Sequence, residues 1–150
     1  MTQAAWERWL ADAIRGYAAD KVRVGTWPAS DAEARSTREF AELLPDGRDT
    51  PGHELRSIVN EAGQPVGVLW FAAADGLSGN VAFIYDLEVQ EAYRGRGYGR
   101  AALAALEPLV RDLGFDSIGL HVFGDNEVAR NLYRTSGYLE TDVTMRKRLG

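Results

Sequence analysis

The stretch VAFIYDLEVQEAYRGRGYGR, residues 81–100, decides the architecture. Val81 to Val89 alternates as a strand does, with Val81, Phe83, Tyr85, Leu87 and Val89 on one face and Ala82, Ile84, Asp86 and Glu88 on the other. A turn carrying Gly95, Gly97 and Gly99 follows. The next stretch is helical to Leu113, with Leu103, Leu106, Val110 and Leu113 facing inward and Gly114 as the stop. Pro108 lies inside it and withdraws a backbone donor, which predicts a kink or a break there. A strand over Ser117 to Phe123 comes next. Strand, helix and strand in that order require a right-handed parallel crossover.

Upstream, Trp6, Trp9, Leu10, Ala13, Ile14 and Tyr17 recur at spacings of three and four, which makes one face of a helix apolar. Trp27-Pro28-Ala29 reads as a connection. Ser30 or Asp31 caps a second helix with Ala34, Thr37, Phe40, Ala41 and Leu44 inward, ended by Pro45-Asp46-Gly47. Pro51-Gly52 turns the chain into strands over Glu54 to Val59 and Val66 to Ala72, joined by a hairpin at Glu61-Ala62-Gly63-Gln64. Asp75 to Asn80 is a polar loop. Downstream, a helix over Asn126 to Ser136 precedes a last strand from Tyr138 to about Lys147.

The full chain of 150 residues suits one domain, 1–150, with an ordinary soluble composition of 45% hydrophobic and 26% charged residues. No apolar run approaches a membrane span, and Met1 to Trp6 lacks a signal-peptide pattern. Cysteine is absent, which excludes disulfides, thiolate metal sites and a cysteine nucleophile; a cytoplasmic location is the expectation. Two histidines, His53 and His121, are too few for a multi-histidine metal centre, so no metal is expected. A net charge of −5 disfavours nucleic acid as a partner and suits a cationic acceptor.

The chemistry is concentrated in Arg94-Gly95-Arg96-Gly97-Tyr98-Gly99-Arg100, between a strand and a helix. Glycines let backbone N–H groups approach an anion, the helix start adds its positive end, and Arg94, Arg96 and Arg100 add full charges. A diphosphate fits such a cradle. The stretch lacks the Gly-Lys-Ser/Thr of a Walker loop, and its G-x-G-x-G spacing is not the Rossmann G-x-G-x-x-G. Alone, such a turn reads equally well as a surface loop. Downstream, Asn126 and Tyr133 stand seven residues apart, two helical turns, on one helix face.

Taken together, Arg94-x-x-Gly97-x-Gly99, then a strand, then Asn126-x-x-Ala129-x-x-Leu132-Tyr133-x-x-x-Gly137-Tyr138 closely resembles the GNAT superfamily of N-acetyltransferases, over roughly Val66 to Lys147. The resemblance implies an α/β fold: a mixed, mostly antiparallel sheet flanked by about four helices. The strand ending at Val89 and the strand holding His121 splay apart. The cosubstrate it implies is acetyl-CoA. Its pantetheine arm would lie in the splay against the backbone of Leu87 and Val89. Its diphosphate would lie on Arg94, Gly95, Arg96, Gly97, Tyr98, Gly99 and Arg100. Asn126 would touch the arm, although it equally suits a helix cap. Tyr133 would face the thioester sulfur as proton donor to the leaving thiolate. Glu88, one residue before the splay, is the candidate base and equally suits a solvated strand carboxylate, with Asp86 and the two histidines as weaker candidates.

The activity this implies is acetyl transfer to a primary amine by direct attack in a ternary complex. A peptide or protein acceptor and a non-catalytic acyl-CoA sensor are the alternatives. The acceptor pocket falls to the first two helices and the middle strands, where Trp27, Trp70, Phe71 and Tyr85 serve as lining or as core. One departure stands out: GNAT domains usually open with a strand, and Met1 to Ala5 is too short for one. An open sheet edge invites pairing, so a homodimer is an expectation.

Overall fold

The computed structural model describes residues 1–74 and 79–150. Thr2 caps the first helix, α1 (Gln3–Arg23), by accepting a hydrogen bond from the Ala5 N–H at 3.1 Å. The predicted stripe faces inward, with Trp6 and Trp9 buried, and no strand precedes it among the described residues. Asp31 precedes α2 (Ala32–Leu43), but its carboxylate binds the Arg35 side chain instead of a backbone N–H. The inward face of α2 differs from expectation. Ala32, Ser36 and Phe40 turn in, while Ala34, Thr37 and Ala41 are exposed. Ser36 explains the rotation: its hydroxyl donates to the Ile14 carbonyl at 2.7 Å, drawing the α2 backbone against α1.

Strands β1 (His53–Val59), β2 (Pro65–Ala73) and β3 (Val81–Val89) form an antiparallel meander. The β1–β2 turn is held by the Asn60 side chain, which accepts from the Ala62 and Gln64 N–H groups at 3.0 and 2.9 Å. Of the loop expected over Asp75 to Asn80, residues 75–78 lie outside the described residues. Helix α3 (Tyr98–Asp112) leads to β4 (Ser117–Leu120), which pairs with β3 in parallel. The sheet order is β1-β2-β3-β4, and α4 (Glu127–Thr135) follows.

Two cores lie on opposite faces of this sheet. Trp6, Trp9, Leu44 and Trp70 pack with Phe40 and Tyr85 under α1 and α2. Leu69, Phe71, Ala82 and Ile84 meet Leu103, Leu106 and Val110 of α3, with Leu132 and Tyr133 of α4 against them. Helix α3 runs unbroken through Pro108. Ala104 and Pro108 are both solvent-exposed, so water serves the carbonyl that the proline leaves without a donor. Leu113 is the C-cap and is exposed, not inward.

Three further departures bear on the site. The alternation of β3 is broken by a bulge: Trp70 faces Asp86 but Phe71 faces Ile84, leaving Tyr85 as the extra residue. Leu87 therefore joins Ala82 and Ile84 on the α3 face, while Tyr85 and Asp86 belong to the α1 face. The strand expected over Ser117–Phe123 ends at Leu120. The strand expected from Tyr138 to Lys147 is not formed, and residues 139–150 run exposed without a sheet partner.

Candidate active site

Pairing between β3 and β4 stops at Ile84↔Leu120, while β3 continues to Val89. Beyond that point the two strands part, and the β3 backbone from Tyr85 to Val89 has no strand on that side among the described residues. The bulge at Tyr85 coincides with the parting. An extra residue there increases the twist and re-aims the side chains beyond it.

The glycine-rich turn closes one end of this gap. Gly97 is the N-cap of α3 at φ 84°, left-handed backbone that a side chain would strain, and no side chain caps the helix. Gly95 also has φ 76°, and a Cβ at either position would meet no atom within 4 Å. The helix thus presents its first N–H groups, with their positive dipole end, to open space. Gly99 is different: its Cβ would stand 3.2 Å from Leu132, so the missing side chain lets α3 pack on α4. The arginines are already engaged in this structure. Arg94 Nε donates to the Val89 carbonyl at 2.9 Å, the Arg96 guanidinium lies 5.7 Å from the Tyr93 ring centre, and Arg100 donates to Thr135 Oγ1 at 2.8 Å.

Helix α4 packs beside α3, with Leu132 and Tyr133 against the α3-side core. Asn126 caps it, its side-chain oxygen accepting from the Ala129 N–H at 3.2 Å. Tyr133 is partly buried beside Tyr138, ring centres 5.7 Å apart. Burial pushes its hydroxyl above the ordinary tyrosine value, and the nearby Asp86 charge adds to the rise.

Asp86 is the most perturbed carboxylate on β3. Its Oδ2 accepts from the Trp9 indole N–H at 2.7 Å. Burial pushes its carboxyl up to about 6 against the pull of that hydrogen bond, and Glu88 reinforces the rise by like charge. Glu88 itself is exposed, on the partner position of Val68. Trp9 was not a candidate from sequence: its stripe position marked it as core, and only the fold brings the two residues together.

His53 Nδ1 accepts from the Trp70 indole N–H at 3.0 Å, and His121 stacks edge-on against Phe123. Of the aromatic residues, Phe71 lies in the α3-side core, which removes it from any acceptor pocket, and Trp27 packs on Tyr17. Trp70 is buried under Tyr85, ring centres 4.6 Å apart. An open groove of about 460 Å³ between α1 and α2 is lined by Arg15, Ala18, Val22, Arg23 and Glu33 among others, and contains none of the candidate site residues. No cluster of metal-ligating side chains exists among the described residues, and no helix there is long and apolar enough to cross a membrane.

Comparison with known proteins agrees with this geometry. The sequence profile described as the acetyltransferase (GNAT) family matches residues 11–138. The chain is 42% identical to YycN, an uncharacterized N-acetyltransferase of Bacillus subtilis, over 99% of this chain and 96% of that protein. It is 35% identical to YdgE, a second uncharacterized N-acetyltransferase of that organism, over 99% of this chain and 95% of that one. The crystal structure of YycN superimposes with a TM-score of 0.92, covering 99% of this chain and 95% of that chain. The splayed mixed sheet, the glycine turn and the α4 motif thus share one explanation: the chain belongs to the acetyltransferase (GNAT) family.

Proposed function

We propose that this acetyltransferase moves the acetyl group of acetyl-CoA to a primary amine by direct attack in a ternary complex. The observation that carries the reading is the uncapped start of α3 at Gly97, with open space before it, at the mouth of the gap between β3 and β4. Backbone N–H groups from Gly95 to Gly99 suit a diphosphate, with Arg94, Arg96 and Arg100 as its charged surround. Arg94 would release the Val89 carbonyl as the coenzyme enters. The unpaired β3 backbone at Leu87 and Val89 offers the groups a pantetheine arm needs. Asn126, whose oxygen caps α4, would turn its amide nitrogen to the arm.

Acetyl-CoA supplies the activated acyl group; the protein orients it and handles two protons. The amine nitrogen forms a bond to the acyl carbon, and the carbon–sulfur bond breaks. The departing sulfur takes a proton from Tyr133 Oη. The amine proton passes to a β3 carboxylate, directly or through water. Asp86 fits that role better than Glu88: burial pushes its carboxyl up to about 6 and its charge reaches Tyr133, whereas Glu88 is exposed. Glu88, on the same side, then draws a cationic acceptor toward the gap.

Incubation with acetyl-CoA and separate panels of small amines and peptides, followed by thiol release and mass spectrometry, tests the reading. Equal yields of free thiol and N-acetylated small amine support it. Acetylation of peptides alone would overturn the small-amine acceptor, and coenzyme binding without turnover would leave a sensor.

A further inference from the structure

We propose that Arg94 makes this protein selective for acyl donors that carry a diphosphate, by holding the Val89 carbonyl until a diphosphate draws its guanidinium away. The inference rests on the coenzyme reading above and deepens it: the anion is engaged first, and the arm is admitted second.

The Val89 carbonyl faces the gap. The Gln90 N–H, on the other side of the same trans peptide, donates to the Val66 carbonyl of β2 at 2.8 Å. The two polar groups of a trans peptide point in opposite directions, so the Val89 oxygen points away from β2, to the side that β4 has left. Backbone of this kind, at the end of a parted strand, is what an amide-bearing arm can pair with.

That oxygen is already taken. Arg94 Nε reaches back across the short turn Glu91–Tyr93 and donates to it at 2.9 Å. The other arginines of the turn look elsewhere: Arg96 lies over the Tyr93 ring, and Arg100 donates to Thr135 and Ser136 on α4. Among the described residues, Arg94 is therefore the arginine that links the glycine turn to β3.

The hold is one that an anion can break. Arg94 is exposed, it forms no ion pair with a carboxylate among the described residues, and its bond to Val89 uses Nε alone. A diphosphate seated before α3 offers full negative charge and paired oxygens in the geometry of the guanidinium fork, where the carbonyl offers one neutral oxygen. The backbone has no need to move. The Tyr93 and Arg94 N–H groups donate to the Gln90 and Glu91 carbonyls at 2.9 and 3.2 Å, so the turn is fixed and a change of Arg94 rotamer completes the exchange.

Selectivity follows. An arm alone must displace Arg94 with nothing given in return, whereas a donor with both halves supplies the anion that removes it. A carbonyl held for about four-fifths of the time lowers the apparent affinity of the arm about fivefold.

Pantetheine and ADP, titrated separately into the full chain, stand for the two halves and are followed by nuclear magnetic resonance, whose spectrum also shows whether each variant is folded. Arg94→Met keeps the apolar stem and removes the donor and the charge. It should bind pantetheine about fivefold more tightly than the wild type and ADP more weakly, opposite shifts from one substitution. Arg96→Met should weaken ADP and leave pantetheine unmoved. Arg94→Ala, with the same expectation, replaces Arg94→Met should that variant not fold. Pantetheine binding that is absent, unchanged or weaker in the folded Arg94 variant would overturn the proposal, as would an equal gain in Arg96→Met. Calorimetry with intact CoA separates the two readings. A wild type that does not bind CoA loses the coenzyme site itself, whereas one that binds CoA without the opposite shifts loses only this role of Arg94.

Discussion

The indole N–H of Trp9, on the first helix, donates to the carboxylate of Asp86, on the third strand, at 2.7 Å. This bond joins the helix that covers the sheet to the strand position where the sheet begins to part. It also ties the packing of an aromatic core to the protonation of a carboxylate whose charge reaches the Tyr133 hydroxyl.

Asp86 makes stability depend on pH in a defined direction. Its carboxyl is raised from 3.8 to about 6, so the folded state holds the proton more tightly than the unfolded chain. Its contribution is fully present below about pH 4 and is lost as pH rises through about 6. The loss amounts to about 3 kcal/mol for a shift of this size. Urea unfolding of the wild type and Asp86→Asn from pH 4 to 8 checks this: the stability of the wild type relative to the variant should fall across that range.

In catalysis the same group acts in the opposite sense, since a base must be ionised. Turnover should rise with pH along a limb whose midpoint lies near 6, and that limb should vanish in Asp86→Asn. Glu88→Gln should keep the limb, moved somewhat down because the Glu88 charge no longer raises the Asp86 carboxyl, while raising KM for a cationic amine. Retention of the limb in Asp86→Asn would move the role of base to Glu88.

Trp9→Phe should keep much of the ring packing but delete the donor to Asp86. A hydrogen bond to a charged group contributes about 1.5–3 kcal/mol. The limb should therefore move up by roughly 1–2 pH units. A pH–rate profile of the variant checks the shift; an unmoved limb would show that the indole does not tune this acid.

Tyr133→Phe should lower kcat by about 100-fold or more while leaving coenzyme affinity nearly unchanged, because a general acid acts only as the sulfur departs. Steady-state kinetics beside equilibrium binding separates the two effects. Wild-type turnover would remove Tyr133 from the mechanism.

Gly97→Ala should weaken coenzyme binding and cost about 1–2 kcal/mol of stability, since φ 84° at the α3 N-cap strains any L side chain. Calorimetric titration of the variant with CoA, beside thermal unfolding, measures both.

Much of this architecture was legible in the sequence because local patterns and the fold agreed. The meander, the crossover, the cap at Asn126 and the inward row Leu103, Leu106 and Val110 follow from spacing and from side chains that satisfy nearby backbone. What was not legible depended on long-range choices. The bulge at Tyr85 moves Leu87 to the face opposite its predicted neighbours Phe83 and Tyr85, and no residue in Val81–Val89 signals it; register against β2 sets it. The Trp9–Asp86 bond spans residues 77 apart in sequence. Phe71 read as possible pocket lining because its strand neighbours Trp70 and Tyr85 do face α1, yet the period of two sends it to the other core. The segment after Tyr138 carries a strand pattern, but a strand needs an edge to pair with, and its own chain does not bring it to one.

Thermal unfolding with acetyl-CoA, CoA, ATP or NAD at matched concentration tests the central claim most directly. A ligand at ~100 times its dissociation constant stabilises the folded state by about 2.7 kcal/mol, a midpoint rise of roughly 5–11 °C in a domain of this size. The glycine turn and the parted strands predict that rise with acetyl-CoA and CoA alone. An unmoved midpoint with both in a folded sample, or a larger rise with ATP or NAD, would contradict the account.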